Sequence, residues 1–350
     1  MWKGLINKYK NYLSVKKDTN IVTLNEGNTP LIKADWLNKE YGFELYLKFE
    51  GANPSGSFKD RGMTLAVTKA LEENSKAIIC ASTGNTSASA AAYGARSGLK
   101  TLVVVPKAKI AKGKLSQALI YGAQIIPIKG NFDKALEIVR KLTDKYALTL
   151  VNSLNPFRIE GQKTAAFEVA DQLENKELDI LALPVGNAGN ITAYWRGFKE
   201  YYNKNITNYL PKMFGFQAAR SAAMVKGRTI EDPETIATAI RIGNPVNRDK
   251  AQKAMEESNG LFDSVTDKEI KEAHQILASK EGVFIEPASA APVAGLIKLC
   301  KENKYSLTNK KIVAVLTGNG LKDQEFVLDN YSIPNSLEGK FKSVEEYINI

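Results

Sequence analysis

Histidine is almost missing from this chain, with His274 the single example among 350 residues. A Ser-His-Asp triad or a histidine-rich metal site is thereby nearly excluded, because each needs imidazole as base or ligand. Cysteine is scarce as well. Cys80 lies in the apolar run Ala77–Ala81 and Cys300 ends an amphipathic helix. Two such distant thiols make neither a metal cluster nor a secreted disulfide framework, so both are expected to be buried. No apolar run reaches membrane-spanning length. The start Met1-Trp2-Lys3-Gly4 lacks the basic-then-apolar order of a signal peptide. A soluble, cytoplasmic protein without membrane contact is the expectation. Nucleotide signatures are missing too: there is no G-x-x-x-x-G-K-[ST], and no G-x-G-x-x-G followed by an acid in the right unit.

Acidic residues fall short of basic ones, 38 against 48, for a formal charge of +10. Such an excess suits nucleic acid or an anionic small molecule. The lysines are scattered, however, with one local patch from Lys107 to Lys114. No recognition motif accompanies them, so a nucleic-acid partner is not expected.

What is present is an alternation of Ile/Val-rich strands and helices. Strands are predicted at Ala77–Ala81, Thr101–Val105, Gln124–Ile128, Thr149–Val151, Ile180–Leu183, Met213–Gln217, Val283–Ile285 and Lys311–Leu316. Helices fall between them, including Asn85–Ser97, Glu160–Leu173 and Ile191–Tyr201, while Ala218 to Asn247 reads as irregular. Thr266 and Glu269 have capping-box spacing and open a further helix. Repeated βαβ units mean an α/β fold of parallel sheets covered by helices on both faces. Ligands in such folds sit beyond the carboxyl ends of the strands, so the loops there are the places to examine.

The organising stretch is Asn53-Pro54-Ser55-Gly56-Ser57-Phe58-Lys59-Asp60-Arg61-Gly62, a tight loop between an apolar run and a helix. Lys59 stands at the helix entrance, where the dipole disfavours an ammonium. That position suits a lysine used as a neutral amine, although an exposed first-turn lysine fits the loop equally well. Four later loops are small, polar and rich in amides. Gly186-Asn187-Ala188-Gly189-Asn190 is the best anion cradle, its glycines letting backbone N–H groups converge at a helix start. One phosphate fits a loop so short, and a purely structural turn is the alternative. Ser82-Thr83-Gly84-Asn85-Thr86-Ser87 offers donors suited to a carboxylate. Asn152 and Ser153 with Arg158, just ahead of a helix, form a second candidate anion site, unless Ser153 and Asn155 only close a turn. Thr317, at the end of a strand, either satisfies local backbone or offers a ligand a neutral hydrogen bond.

A reactive lysine and a one-phosphate cradle, without metal site or catalytic histidine, outline a pyridoxal-phosphate enzyme. Here the resemblance becomes specific. Ser57 to Met63, Ser82 to Ser89, Pro184 to Thr192 and Thr317 to Lys322 resemble the threonine synthases, the shorter bacterial-type branch of the fold-type-II pyridoxal-phosphate enzymes. The likeness runs in the same order from Glu26 to Lys322. Threonine and serine dehydratases share the lysine loop, yet typically carry a run of glycines where this chain has Gly186 to Asn190. The stretch Asn152 to Thr164 resembles the threonine synthases and not the dehydratases.

The resemblance implies two open, twisted parallel-sheet domains of the tryptophan synthase beta type with pyridoxal 5'-phosphate in the cleft between them. Residues 45–150 would form the smaller, mobile domain and 1–44 with 151–335 the larger. Residues 336–350 read as a tail ending in a short packed helix. It implies conversion of O-phospho-L-homoserine and water to L-threonine and phosphate by a homodimer. Lys59 would carry the cofactor and act as acid and base. Asn85 would touch the ring 3'-oxygen, Gly186, Asn187, Ala188, Gly189 and Asn190 its phosphate, and Thr317 its nitrogen. Ser82, Thr83, Thr86, Asn152, Ser153 and Arg158 would bind substrate. A dehydratase of the same fold is the near alternative, and a non-catalytic anion- or nucleic-acid-binding protein the distant one.

Overall fold

A computed structural model of the protein describes residues 1–107 and 112–348, so Lys109, within the basic patch, and Asn349 and Ile350 in the tail lie outside the described residues. The chain opens with a single helical turn, α1 (Leu5–Lys8), followed by strand β1 (Leu31–Lys33), helix α2 (Asp35–Tyr41) and strand β2 (Glu44–Phe49). Next come α3 (Lys59–Glu72), β3 (Ala77–Ala81), α4 (Asn85–Ser97), β4 (Lys100–Pro106), α5 (Lys112–Ile120), β5 (Gln124–Ile128), α6 (Phe132–Lys145) and β6 (Leu148–Leu150). The second half holds α7 (Pro156–Gln172), β7 (Ile180–Pro184), α8 (Gly189–Asn203), β8 (Lys212–Ala218), α9 (Arg248–Glu257) and β9 (Leu261–Val265). It closes with α10 (Asp267–Glu281), α11 (Pro287–Lys301), β10 (Lys311–Leu316), α12 (Gln324–Asn330) and α13 (Phe341–Ile348).

Two sheets result. One has four parallel strands in the order β5-β4-β3-β6, the other six in the order β1-β2-β10-β7-β8-β9. Among the described strands only β1 runs antiparallel, pairing Leu31 with Lys48. Strand β2 pairs along its length with β10. Residues 45–49 therefore belong to the six-stranded sheet, and the expected boundary at residue 45 does not follow the strand pairing. Both sheets are covered on two faces. The six-stranded sheet buries Phe214 and Phe216 toward α10 and α11, and Leu181, Leu183 and Met213 toward α8. In the smaller sheet Ile78 and Val103 pack under α3 and α4, while Ile79 and Val104 meet Ala135 and Val139 of α6. Such two-sided burial is why the inner strands β3 and β7 are buried and apolar along their whole length.

Helix ends follow local chemistry. Thr266 and Glu269 make the reciprocal capping box that starts α10, and Asn155 caps α7 with Pro156 at its first turn. Two elements depart from expectation. Val283 to Ile285 is no strand, since only Ile285 pairs, in a single bridge with Asn319. Helix α13 buries no residue and leaves Phe341 82% exposed, so the tail helix is amphipathic but unpacked. Of the two thiols, Cys80 is buried and Cys300 only partly so. Strand β9 and helices α2 and α9 had no counterpart in the sequence reading.

Between the sheets runs a buried ionic cluster. Arg61 of α3 donates to Glu50 (2.7 Å) and to Glu168 of α7 (2.8 Å), and Lys48 of β2 reaches Glu168 at 2.6 Å. Thr29 joins it through Glu50 and Glu168. Burial alone would push the Glu168 carboxyl up, but Arg61 and Lys48 hold it well below the usual range. Charges so deeply buried persist only when each has its partner. Gly161 allows the helices carrying them to meet, because a Cβ there would lie 2.1 Å from the Arg61 carbonyl.

Candidate active site

Three neighbouring strands of the larger sheet, β2, β10 and β7, send their carboxyl ends toward one place. β2 leads to the Lys59 loop, β10 to Thr317 and β7 to Gly186–Asn190. The first two loops are tied together by backbone bonds, Phe58 N–H to the Thr317 carbonyl (3.0 Å) and Asn319 N–H to the Gly56 carbonyl (3.0 Å). Lys322 adds a side-chain tie, donating to the Ser55 carbonyl at 2.7 Å and to Gln117 of α5.

Lys59 is the first residue of α3 and is half-buried, with its amine 4.5 Å from the centre of the Phe58 ring. Burial, reinforced by the nearby Arg158 charge and opposed by Glu286, brings its pKa down to about 7. A large share of the side chain is therefore neutral near physiological pH, the form needed for attack on a carbonyl. The following residue, Asp60, anchors the loop: its carboxylate accepts from Ser55 N–H (2.6 Å), Ser55 Oγ (2.5 Å) and Ser89 Oγ (2.6 Å).

The Gly186–Asn190 loop lies at the start of a 15-residue helix. Its left-handed residue is Ala188, at φ 61°, rather than either glycine. Gly189 is helical, and a Cβ there would make only ordinary contacts, at 3.4 Å or more. Gly186 is the crowded position, its would-be Cβ lying 3.2 Å from Ile240 Cα. Asn247 buttresses the loop by donating backbone and side-chain N–H to the Asn187 carbonyl. Asn190 Nδ2 is buried without a partner among the described residues, beside the free N–H groups of the helix start. These donors fit a phosphate monoester.

Thr317 Oγ1 lies 3.0 Å from Ser289 Oγ, which in turn accepts from Gly318 N–H at 2.9 Å. A hydroxyl held this way keeps hydrogen-bonding capacity for one further neutral partner. Asn85, first residue of α4 on the smaller sheet, donates Nδ2 to both oxygens of Glu286 at 3.0 Å. Glu286 and Ser289, at the start of α11, escaped the sequence reading. The available signal was an acid placed directly before Pro287 at a helix start.

Arg158 is fully buried inside the first turn of α7, not ahead of the helix. Its Nη1 donates to the Val151 carbonyl at 2.7 Å, while Nε and Nη2 have no partner among the described residues. Burial lowers its pKa to about 10. Asn152 exchanges two 2.9 Å bonds with the Ala81 backbone, tying the end of β6 to the end of β3 and leaving one N–H of its amide for another partner. Ser153, Thr83 and Thr86 are half-buried, and Ser82 Oγ accepts from Gly84 N–H at 3.2 Å. Nearby Ser57 also keeps a buried, unpartnered hydroxyl. His274 takes no part: its Nε2 meets the Ile285 carbonyl and its ring packs edge-on against Phe284 and Phe326. Among the described residues no group of three or more His, Cys, Asp or Glu is placed to hold a metal.

A lowered lysine amine, a monophosphate cradle and a neutral hydroxyl at the ends of adjacent parallel strands define a pyridoxal-phosphate site. Residues 22–318 match the model of the family described as pyridoxal-phosphate dependent enzyme, and the chain belongs to that family. Solved structures with this fold include the processed form of threonine deaminase isoform 2 from Solanum lycopersicum, at TM-score 0.73 and 23% identity over 86% of this chain and 87% of that one. Within the family the chain belongs to the threonine synthases. It is 58% identical to threonine synthase of Halalkalibacterium halodurans over 95% of this chain and 93% of the relative. It is also 57% identical to that of Bacillus sp. over 97% of each, and 52% identical to that of Methanocaldococcus jannaschii over 95% and 84%.

Proposed function

We propose that this chain converts O-phospho-L-homoserine and water to L-threonine and inorganic phosphate, with pyridoxal 5'-phosphate attached at Lys59. The observation that carries the substrate choice is Arg158, whose two unpaired, buried donors sit close enough to lower the Lys59 pKa. A guanidinium left so exposed to desolvation calls for a dianion, which a phosphorylated substrate supplies and serine or threonine does not. Bound at this site, the cofactor supplies a sink for the electron pair left when a proton leaves Cα.

Lys59, neutral once displaced by the substrate amine, takes that proton. Loss of a Cβ proton breaks the Cγ–O bond and releases phosphate toward Arg158. Return of a proton to Cγ leaves Cβ open to water, and a last proton transfer to Cα completes L-threonine. Asn85 is proposed at the ring 3'-oxygen, Gly186 to Asn190 at the cofactor phosphate, and Thr317 at the ring nitrogen. Thr317 is neutral and cannot protonate the ring, so surrounding donors carry more of the stabilisation. Ser82, Thr83 and Thr86 suit the substrate carboxylate. Ser153 remains a candidate beside Arg158, with Asn152 holding that loop in place.

The two sheets support a division into a smaller and a larger domain with the site in the cleft. Among the described residues no helix is long and apolar enough to cross a membrane, and a cytoplasmic homodimer without nucleic acid is the proposed state. The test is phosphate release from O-phosphohomoserine with stoichiometric threonine. Release of ammonia from serine or threonine at a comparable rate, without threonine synthesis, would overturn the assignment.

A further inference from the structure

Glu286 is buried at 6% exposure, and its carboxylate faces a side chain from the opposite sheet. Glu286 enters from the turn before α11, on the six-stranded side, and Asn85 from the first turn of α4, on the four-stranded side. The carboxylate is seated with care. The Glu286 backbone N–H donates to the Gly318 carbonyl at 3.1 Å, and a Cβ on Gly318 would lie 2.4 Å from Glu286 Oε1, so a side chain there would displace the carboxylate. Ile285, just before it, bridges to Asn319. The Thr317–Asn319 loop therefore fixes Glu286, and Glu286 in turn meets Asn85.

A side-chain amide has one oxygen acceptor and two N–H donors that diverge from its nitrogen. The equal 3.0 Å distances from Asn85 Nδ2 to both carboxylate oxygens describe one N–H shared by the pair. The second N–H is left free, and the amide cannot turn over without placing its oxygen against a carboxylate. We propose that Glu286 is a positioning residue for the cofactor: it locks the amide of Asn85 so that a donor, never an acceptor, faces the ring oxygen. This rests on the placement of Asn85 at the ring 3'-oxygen. It also makes Asn85–Glu286 a direct tie between the two sheets at the cleft. Burial raises the Glu286 carboxyl above its ordinary range, and the Asn85 bond partly counters this.

The test is a double-mutant cycle read by cofactor affinity and absorption spectrum, with Glu286→Ala, Asn85→Ala and the pair. Each variant is stripped of cofactor and titrated with pyridoxal 5'-phosphate. Glu286→Ala is expected to weaken binding about ten-fold, the scale of one charge-assisted bond, and to shift the visible band. The double variant should match Asn85→Ala alone. Glu286→Gln, whose side-chain oxygen still accepts from Asn85, should restore most of the affinity and the wild-type band. Additive losses in the double variant, or no rescue by Gln, would overturn the role of Glu286. If Asn85→Ala leaves affinity and spectrum unchanged, it is the placement of Asn85 that fails, and the proposal with it.

Discussion

Replacing Arg158 by Ala separates binding from folding in an unusual way. Its Nε and Nη2 are buried without a partner among the described residues, and in the proposed reaction they are the donors offered to the substrate phosphate. A hydrogen bond to a charged partner is worth about 1.5–3 kcal/mol. At about 1.4 kcal/mol per decade, one or two such bonds predict a rise in KM for O-phosphohomoserine of roughly one to four decades. Stability should move little or even increase. The substitution strands the Val151 carbonyl, now 2.7 Å from Nη1, at a cost of about 1–3 kcal/mol. It also removes a buried cation, whose desolvation costs several kcal/mol. The assay pairs phosphate-release kinetics with thermal unfolding of the same preparation, and slow deamination of serine serves as a control without substrate phosphate. A fall in Tm by many degrees, with both activities cut equally, would show Arg158 to be a structural residue and remove the main support for a phosphorylated substrate.

Other outcomes follow from the same geometry. Lys59→Ala should abolish the reaction while keeping the fold, and borohydride treatment of the wild type should tag Lys59 by mass; a tag on another lysine would refute the assignment. With the Lys59 pKa about 7 in the fold against 10.5 in the free side chain, the unfolded chain holds the extra proton between those values. Cofactor-free protein should thus gain stability from this group as pH rises through that window, and association of pyridoxal phosphate should quicken with a midpoint near 7, whereas a midpoint above 9 would contradict a buried amine. Gly186→Ala should lose cofactor on dialysis because its Cβ meets Ile240 backbone, while Gly189→Ala should retain it; the reverse order would place the phosphate elsewhere. Glu168→Ala, which leaves Lys48 and Arg61 short of counter-charge, should cost about 3–5 kcal/mol by denaturant unfolding, and a loss under 1 kcal/mol would contradict the ionic cluster.

The parts of this molecule that were legible in its sequence are those governed by local chemistry. Asn85–Ser97, Gln124–Ile128 and Lys311–Leu316 have the bounds that periodicity implies, and the Thr266–Glu269 capping box is present. Lys59, Thr317 and the Gly186 loop stood out as candidates because small polar loops after apolar strands are distinctive, and the neighbouring strands β2, β10 and β7 bring them together. What stayed hidden depends on distant partners. Strand β2 joins β10, far along the chain, so its sheet cannot be read from its neighbours. Phe284 and Ile285 are apolar like a strand, yet the backbone there caps the Thr317 loop instead of joining the sheet. The positive φ falls on Ala188 against the ordinary preference for glycine, because Asn247 and Thr192 hold the Asn187 and Ala188 carbonyls. That Asn152 also ties its loop to the Ala81 backbone depends on a residue 71 positions away.

Strand β10 also governs when this protein can come into being. Among the described residues it is the last strand in chain order, yet it lies between β2 and β7 and pairs with both. A nascent chain that has not reached Lys311 holds two apolar strands with unsatisfied facing edges, which is the template for mispairing with other chains. It also lacks the turn bearing Thr317. Synthesis therefore delivers the cofactor pocket at a single late moment, when one segment closes the sheet and completes the site together. Late, long-range closure of this kind makes folding slow. Chains released before Lys311 should depend on chaperones, and the coenzyme can be captured only after the turn bearing Thr317 has been made.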